Sequence, residues 1–521
     1  MFAAVTSVPA GAAPQPGPVK QMTQAVTLPG VVDHLEAFQA IADEHGDRAS
    51  GHPGYKASVD YVVDQLEGAG YSPEVQEFEF EYFDENSELE RISPDPRVYV
   101  NEQDFLRNTF DTGSPEGETT APLAPVDLRL DAPDLPDNTS NSGCEEADFA
   151  DFTPGDIALM QRGTCGFADK ALNAQAAGAS GAIIMNEGQP GRRNELINMI
   201  GDATGLTIPV VYATFDTGAD LASTPGAEVR VMVEFTADTR TTYNVIAETP
   251  TGRAANTVMA GAHLDSVQEG AGINDNGTGS AALLETAIQY AEKDINLRNK
   301  VRFAWWGAEE SGLLGSEHYV AELTEEEAAR IALYLNFDMV GSPNFMFGIY
   351  DGDNSGGTAD EGFIPEGSAE IEDVFEKFYT WRGQPFQDSE FSGRSDYGPF
   401  IAVGIPAGGL FTGAEVPKTE EEAELYGGVA GAAYDPCYHQ ACDNLTGEGQ
   451  DRELYAQLRE DFGLIGNVNR KALRINADAI AMAVTWFARS TEAVNGDRAA
   501  QPRMSARTAK AADAAKNRFA S

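Results

Sequence analysis

The chain is short of positive charge, cysteine and histidine, and it has no long apolar run. Its 521 residues hold 35 Lys+Arg against 83 Asp+Glu, a net charge of −48. A surface so anionic repels phosphate backbones, so nucleic acid is excluded as a partner, and anionic membrane surfaces are disfavoured for the same reason. No stretch approaches the roughly 18 apolar residues of a membrane-spanning helix; the best, Ala479 to Phe487, is too short. Only four cysteines are present, Cys144, Cys165, Cys437 and Cys442, and none has the CxxC spacing of a zinc ribbon. An even, sparse set in a large acidic chain fits two disulfides in an oxidising compartment, hence a secreted protein. Four cysteines allow three connectivities. Proximity favours Cys144–Cys165 and Cys437–Cys442, and four buried free thiols are the alternative.

What is present is a chain able to fold. Hydrophobic residues make up 42% and charged residues 23%, enough for real cores, and the length fits two to four compact units. The start, MFAAVTSVPAGAAPQP, is small and apolar and then Pro-rich. It reads as the end of a secretory leader without its basic start, with a plain disordered N-terminus as the equal alternative. VVDHLEAFQAIADEH and SVDYVVDQLEGAG carry helical periodicity, and EVQEFEFEYF alternates as a strand does. Residues 85–140 read as loops with short strands. Between 118 and 236 the texture is strand, turn, Ala-rich helix, strand, strand. From Thr241 onward apolar strands alternate with Ala-rich helices, which implies an α/β sheet with mostly buried central strands. A last helix covers about 475–489, and the Ala-rich, locally basic tail 490–521 reads as frayed helix or disorder. The divisions read from this are 1–30 leader and linker, 31–117 the first part of the main domain, 118–236 an insertion, 237–489 the rest of the main domain, and 490–521 the tail.

Ligands bind beyond the carboxyl ends of strands in open α/β sheets. NTVMAGAHLDS ends in His263 and Asp265, KVRFAWWGAEE in Glu309 and Glu310, and ALYLNFDMVGS contains Asp338 at its strand end. The loop GINDNGTGS supplies Asp275, and DPCYHQACDN supplies His439. Two histidines and three carboxylates are N/O donors suited to zinc, manganese or cobalt. Five such ligands serve two metal ions only if one carboxylate bridges them, with room for a shared water. Side chains of strand neighbours diverge, so one of Glu309 and Glu310 can ligate while the other faces the water as general base. His318, in a helical stretch, reads as structural.

These motifs carry a resemblance. AGAHLDSV, GINDNGTGS, WWGAEESGLLGSEHYV, NFDMVGSP, GRSDYGPF, GIPAGGLFTGAE and CYHQACDNL are similar to those of the secreted dizinc leucine aminopeptidases. That family includes aminopeptidases S and Y and glutamate carboxypeptidase. The similarity runs from about His34 to Arg489, and the segment 118–236 resembles an inserted protease-associated domain. The resemblance implies a three-layer α/β/α mixed-sheet peptidase domain with a β-rich α+β insertion. It implies two zinc ions per chain: His263 and Asp338 on one, Glu310 and His439 on the other, and Asp275 bridging. It makes Glu309 the general base and Tyr438 the oxyanion donor, and has Asp265 orient His263. It places Arg394 near the substrate carbonyl and Phe411 in the wall of the side-chain pocket. It also makes the Asp275–Asn276 peptide cis. A Glu six positions before the Arg of GRSD meets the substrate's α-ammonium in the family. Here that position is Asp388, one methylene shorter, with Glu390 as a rival. Arg474 stands at a position that binds structural calcium in some members, so the resemblance does not carry that site over to this chain. The sequons at Asn138 and Asn444 matter only in a glycosylating host.

The leading expectation is therefore a zinc aminopeptidase releasing large apolar N-terminal residues, such as Leu, from peptides with a free N-terminus. A monomer without membrane or nucleic-acid partners is expected. The insertion reads as a stabilising appendage rather than a lid. The alternatives are a carboxypeptidase or dipeptidase on the same scaffold and a catalytically dead binding module.

Overall fold

The computed structural model describes residues 17–496 apart from 86, 102, 108–114, 131–138, 189–192, 195, 197–202, 294, 296 and 360–361. The leader 1–16, the sequon at Asn138 and most of the C-terminal tail thus lie outside the described residues. The described residues fall into two units, one within 17–80 and 239–496, the other within 81–238.

The first unit is built on an eight-stranded mixed sheet. Its order is Glu74–Glu85, Phe235–Glu248, Asn299–Trp306, Arg253–His263, Ile331–Phe337, Ala407–Phe411, Gly348–Tyr350 and Gln387–Ser389. The four central strands, from Asn299–Trp306 to Ala407–Phe411, run parallel. Their register pairs His263 with Trp306, Gly261 with Asn336 and Phe337 with Leu410, so all four end on the same edge. Those strands are buried along nearly their whole length, which is why they read as continuous apolar runs rather than alternation. Helices Leu28–His45, Gly279–Lys293 and Arg470–Arg489 share one core with the sheet.

Local chemistry accounts for the helix ends. Thr27 accepts from Gly30 N at 3.2 Å at the start of Leu28–His45, and Gly46, at φ 100°, ends it. The helix read over about 475–489 begins at Arg470, because Asn469 caps it by accepting from the backbone N of Lys471 and Ala472, and a short further helix, Glu492–Asn495, follows it and buries Val494. Residues 17–25, read as linker from sequence, form a helix that buries Val19 and Met22 in the main core. Arg474 donates to the carbonyl of Val26 at 2.9 Å and pairs with Asp478 at 3.3 Å, so the cation at that position ties down the chain start.

The second unit has its own eight-stranded sheet with a parallel centre, Gly117–Pro125, Ile157–Gln161, Gly181–Met185 and Val210–Ala213. Helices Phe167–Ala176 and Phe215–Ala222 pack on it. The Cys144–Cys165 disulfide staples the loop preceding the first of these helices.

Candidate metal centre

His263 is the last residue of its strand and Asp338 follows its strand directly. The Glu309–Glu310 pair differs from the sequence reading. Its strand stops at Trp306, and the pair lies in a turn beyond Ala308, a non-glycine residue at φ 53°. The turn, not the strand pleat, sends the two carboxylates apart. The loop carrying Asp275 runs from Gly272, at φ 53°, into the helix starting at Gly279. A Cβ on Gly279 would lie 2.2 Å from the Phe337 carbonyl, so only glycine lets this loop press against the strand end. The Asp275–Asn276 peptide is cis. His439 sits at φ 56° in the short loop closed by the Cys437–Cys442 disulfide.

These residues converge on two adjoining groups, His263 with Asp275 and Asp338, and Asp275 with Glu310 and His439. His263 Nε2 lies 3.2 Å from Asp275 Oδ1 and 3.3 Å from Asp338 Oδ1. His439 Nε2 lies 3.4 Å from Asp275 Oδ2 and 3.0 Å from Glu310 Oε2. Asp275 thus turns one oxygen to each group. Adjacent donors around a tetrahedral zinc with bonds near 2.0–2.1 Å stand about 3.3 Å apart, and the observed separations match that edge. Buried Glu310 Oε1 and Asp265 Oδ2 have no hydrogen-bond partner among the described residues. Five carboxylates, counting Asp265 and Glu309, face two imidazoles. In a partly buried site two like charges 4 Å apart repel by about 4 kcal/mol, so the donor set fits divalent cations.

Electrostatics say the same. Burial opposes a charged imidazole, yet Glu309 and Asp338 around His263, and Glu310 and Asp275 around His439, hold both rings well above the ordinary histidine range. Burial pushes Glu310 up to about 7 and holds Glu309 well above the ordinary carboxylate range, with Asp338 and Asp396 adding to the latter. Without cations this centre retains protons that metal ions displace.

A layer of other side chains shapes the centre. His263 Nδ1 lies 3.2 Å from the Asp265 carbonyl and 3.6 Å from its carboxylate, so the backbone oxygen is the nearer partner. Asp265 Oδ1 accepts from Glu309 N at 3.3 Å. Ser395 donates to Asp338 Oδ2 at 2.6 Å and accepts from Asn336 at 2.8 Å. Arg48, fully buried, donates to the carbonyls of Leu264, Ala271 and Gly272. It thereby braces the loop between His263 and Asp275. Unpaired, such a buried cation costs several kcal/mol; here three carbonyls and the nearby Asp265, Asp443 and Asp275 compensate it. RASGHPGYKAS reads from sequence as a turn-rich loop, but the helix Pro53–Gly68 takes its second half, and nothing in it marks Arg48, because that residue's partners lie more than two hundred residues away.

On the more open side Tyr438 stacks on His439 with ring centroids 3.8 Å apart. Arg394 donates to the Tyr438 hydroxyl at 3.4 Å and pairs with Glu415 at 3.0 Å. Phe411 ends the strand Ala407–Phe411 and packs, partly buried, against the core. His318 stacks on Phe78, and His34 and His52 pair with Tyr61 and Asp47.

Asp388 is placed elsewhere. It is exposed, accepts from Ser355 at 2.9 Å and adds its charge to Asp351 and Glu372. The cause is strand parity. Asp388 pairs with Ile349, whereas the next pair is Tyr350 with Ser389, and it is Tyr350 that feels the charges of Asp338 and Glu309. Successive side chains face opposite sides of a sheet. Glu390 is exposed as well.

Asp351, Asp353 and Glu372 form a separate acidic group. Burial, with Asp353 next, pushes Glu372 up to about 8 from 4.5. Folding then takes up a proton between those values, so the stability contributed is full below about 4.5 and lost as pH rises to about 8. Urea midpoints measured across this window should fall with pH, and Glu372→Gln should flatten the fall.

The profile of Peptidase family M28 matches residues 244–452 and that of the PA domain matches residues 119–221. An aminopeptidase of Pseudomonas aeruginosa is 48% identical over 475 residues, covering 90% of this chain and 82% of that one. Leucine aminopeptidase 2 of Trichophyton tonsurans is 38% identical over 487 residues, covering 92% and 88%. Among solved structures, the aminopeptidase from Aneurinibacillus sp. strain AM-1 superposes with a TM-score of 0.57 at 25% identity, covering 89% of this chain and 95% of the other. BSAP, a zinc aminopeptidase from Bacillus subtilis, gives 0.58 at 22% identity, covering 90% and 96%, which speaks to fold alone.

Proposed function

Because the chain belongs to peptidase family M28 and is a zinc-dependent peptidase carrying a protease-associated domain, we propose that it removes single N-terminal residues, large apolar ones such as Leu first, from peptides, using two zinc ions. The observation that carries the two-ion reading is Asp275, with one carboxylate oxygen turned to His263 and the other to His439. His263 and Asp338 would hold one ion, Glu310 and His439 the other, and Asp275 would serve both.

When bound, the ions supply Lewis acidity, lowering the pKa of a shared water and polarising the scissile carbonyl. The protein supplies proton transfer and orientation. Glu309 is left out of both ligand groups; its Oε2 lies 4.0 Å from His263 Nε2, and its backbone N is held by Asp265. It takes the proton of the attacking water and passes it to the leaving amine. The Tyr438 hydroxyl, beside the Arg394 guanidinium, donates to the oxygen on which charge develops. Asp265 keeps the His263 ring in the orientation that aims Nε2 at Asp275 and Asp338. Preference for a free N-terminus rests on the named relatives and not on Asp388. The two disulfides fit work in an oxidising compartment outside the cytoplasm. Among the described residues no helix is long and apolar enough to cross a membrane.

The test is a panel of aminoacyl p-nitroanilides run beside their N-acetylated forms. Leu and other large apolar residues should be released fastest, and acetylation should slow release by about 10⁴-fold, because it leaves polar groups of the site without their partner. Faster turnover of N-blocked peptides bearing a free C-terminus would instead establish the carboxypeptidase alternative.

A further inference from the structure

Asp443 carries no role in the reading above, yet it is a heavily engaged carboxyl group behind the metal centre. It is 2% exposed and accepts from the backbone N of Asn274 at 2.9 and 3.1 Å, from that of Asp275 at 3.0 Å, and from Asn467 Nδ2 at 2.8 Å. Its own carbonyl accepts from Ile273 N at 3.3 Å. Three consecutive residues leading into and including Asp275 are therefore held by one residue of the His439 loop. A second carboxylate of that loop, Asp435, takes the Asn274 side chain at 2.6 Å and the N–H of Cys437 at 2.8 Å. Asn467 donates to both carboxylates.

We propose that Asp443 is a positioning residue that locks the loop carrying Asp275 to the loop carrying His439, so that both metal ions depend on it. The inference rests on the two-ion reading of the site. The physical reason is geometric. The direction of the Asp275 carboxylate is set by the backbone torsions at Asn274 and Asp275. Two successive N–H groups bound to one carboxyl group fix those torsions by geometry alone. The acceptor belongs to the chain segment that ends the second ligand set, so one clamp sets the separation between the shared carboxylate and His439. Losing such a partner of a metal ligand typically costs 10–100-fold in metal affinity. A ligand's partner usually serves one ion; a partner of the shared ligand serves two.

The experiment measures zinc dissociation constants of the full chain by competition with a chromophoric chelator, alongside visible absorption of the cobalt-substituted protein and melting of the zinc-free protein. Asp443→Ala should weaken both zinc equivalents by about 100-fold and shift the cobalt bands; Asp443→Asn, which keeps one acceptor oxygen, should weaken both by about 10-fold. If Asp443→Ala does not fold, Asp443→Asn decides alone. Wild-type affinity in a folded variant, even one with a lowered melting temperature, overturns the inference, as does weakening of a single equivalent. Wild-type protein that takes up fewer than two zinc ions defeats the two-ion reading itself, which separates the two failures.

Discussion

Glu309→Gln should lower kcat by about 10²–10⁴-fold while zinc content stays at the wild-type level and KM changes little. The magnitude is that of a positioned proton carrier. The selectivity follows from geometry. Glu309 Oε2 lies 4.0 Å from His263 Nε2 and belongs to neither ligand group, whereas Glu310 Oε2 lies 3.0 Å from His439 Nε2. Glutamine preserves the shape and the backbone bond to Asp265 and removes only basicity. Steady-state kinetics on a Leu anilide, paired with metal analysis of the same preparation, checks it. Loss of zinc together with activity would move Glu309 into the ligand set, and unchanged kcat would remove it from proton transfer.

Asp275→Ala has the larger structural reach. It takes one donor from each ligand group at once and leaves His263 with Asp338, and His439 with Glu310. On the two-ion reading, zinc content should fall to near none after dialysis, and activity should disappear with it. Asp338→Ala, by contrast, touches one group and should release one ion only. Inductively coupled plasma analysis of the two variants separates a shared carboxylate from an ordinary ligand. If Asp275→Ala keeps one tightly held zinc, the carboxylate serves one ion alone. Chelation of the wild-type protein should reproduce the activity loss and be reversed by added zinc. The protein recovered after chelation should also show raised imidazole pKa values, since Glu309 and Asp338 around one ring and Glu310 and Asp275 around the other then face protons instead of metal.

Much of this was legible in the chain itself. Donor chemistry is a property of residue type, and the buried strands betray themselves as apolar runs. His263, Asp338 and the Asp275 loop therefore stand out at predictable places, the carboxyl ends of strands. Glu309 and Glu310 were visible as a pair, but the reason for their divergence was not: a turn past the strand end separates them. Asp388 shows what motif spacing does not contain. A count of six residues before Arg394 selects it, but pairing with Ile349 puts it on the opposite face from the Tyr350–Ser389 pair, and no one-dimensional count contains that parity. The helix over 17–25 was hidden for a different reason. Its burial depends on a core assembled from segments hundreds of residues later.

By itself, then, the amino-acid order determined the kind of chemistry: which atoms can bind a divalent cation, which strands end beside them, and how little this anionic chain has to offer nucleic acid. Tertiary structure alone decided which oxygen of Asp275 serves which group, and that Arg48 and Asp443 hold its loop from two sides. The reason is one of distance along the chain. Donor identity is local, whereas a clamp between residues 48, 275 and 443 exists only once the sheet has brought three remote loops to one edge.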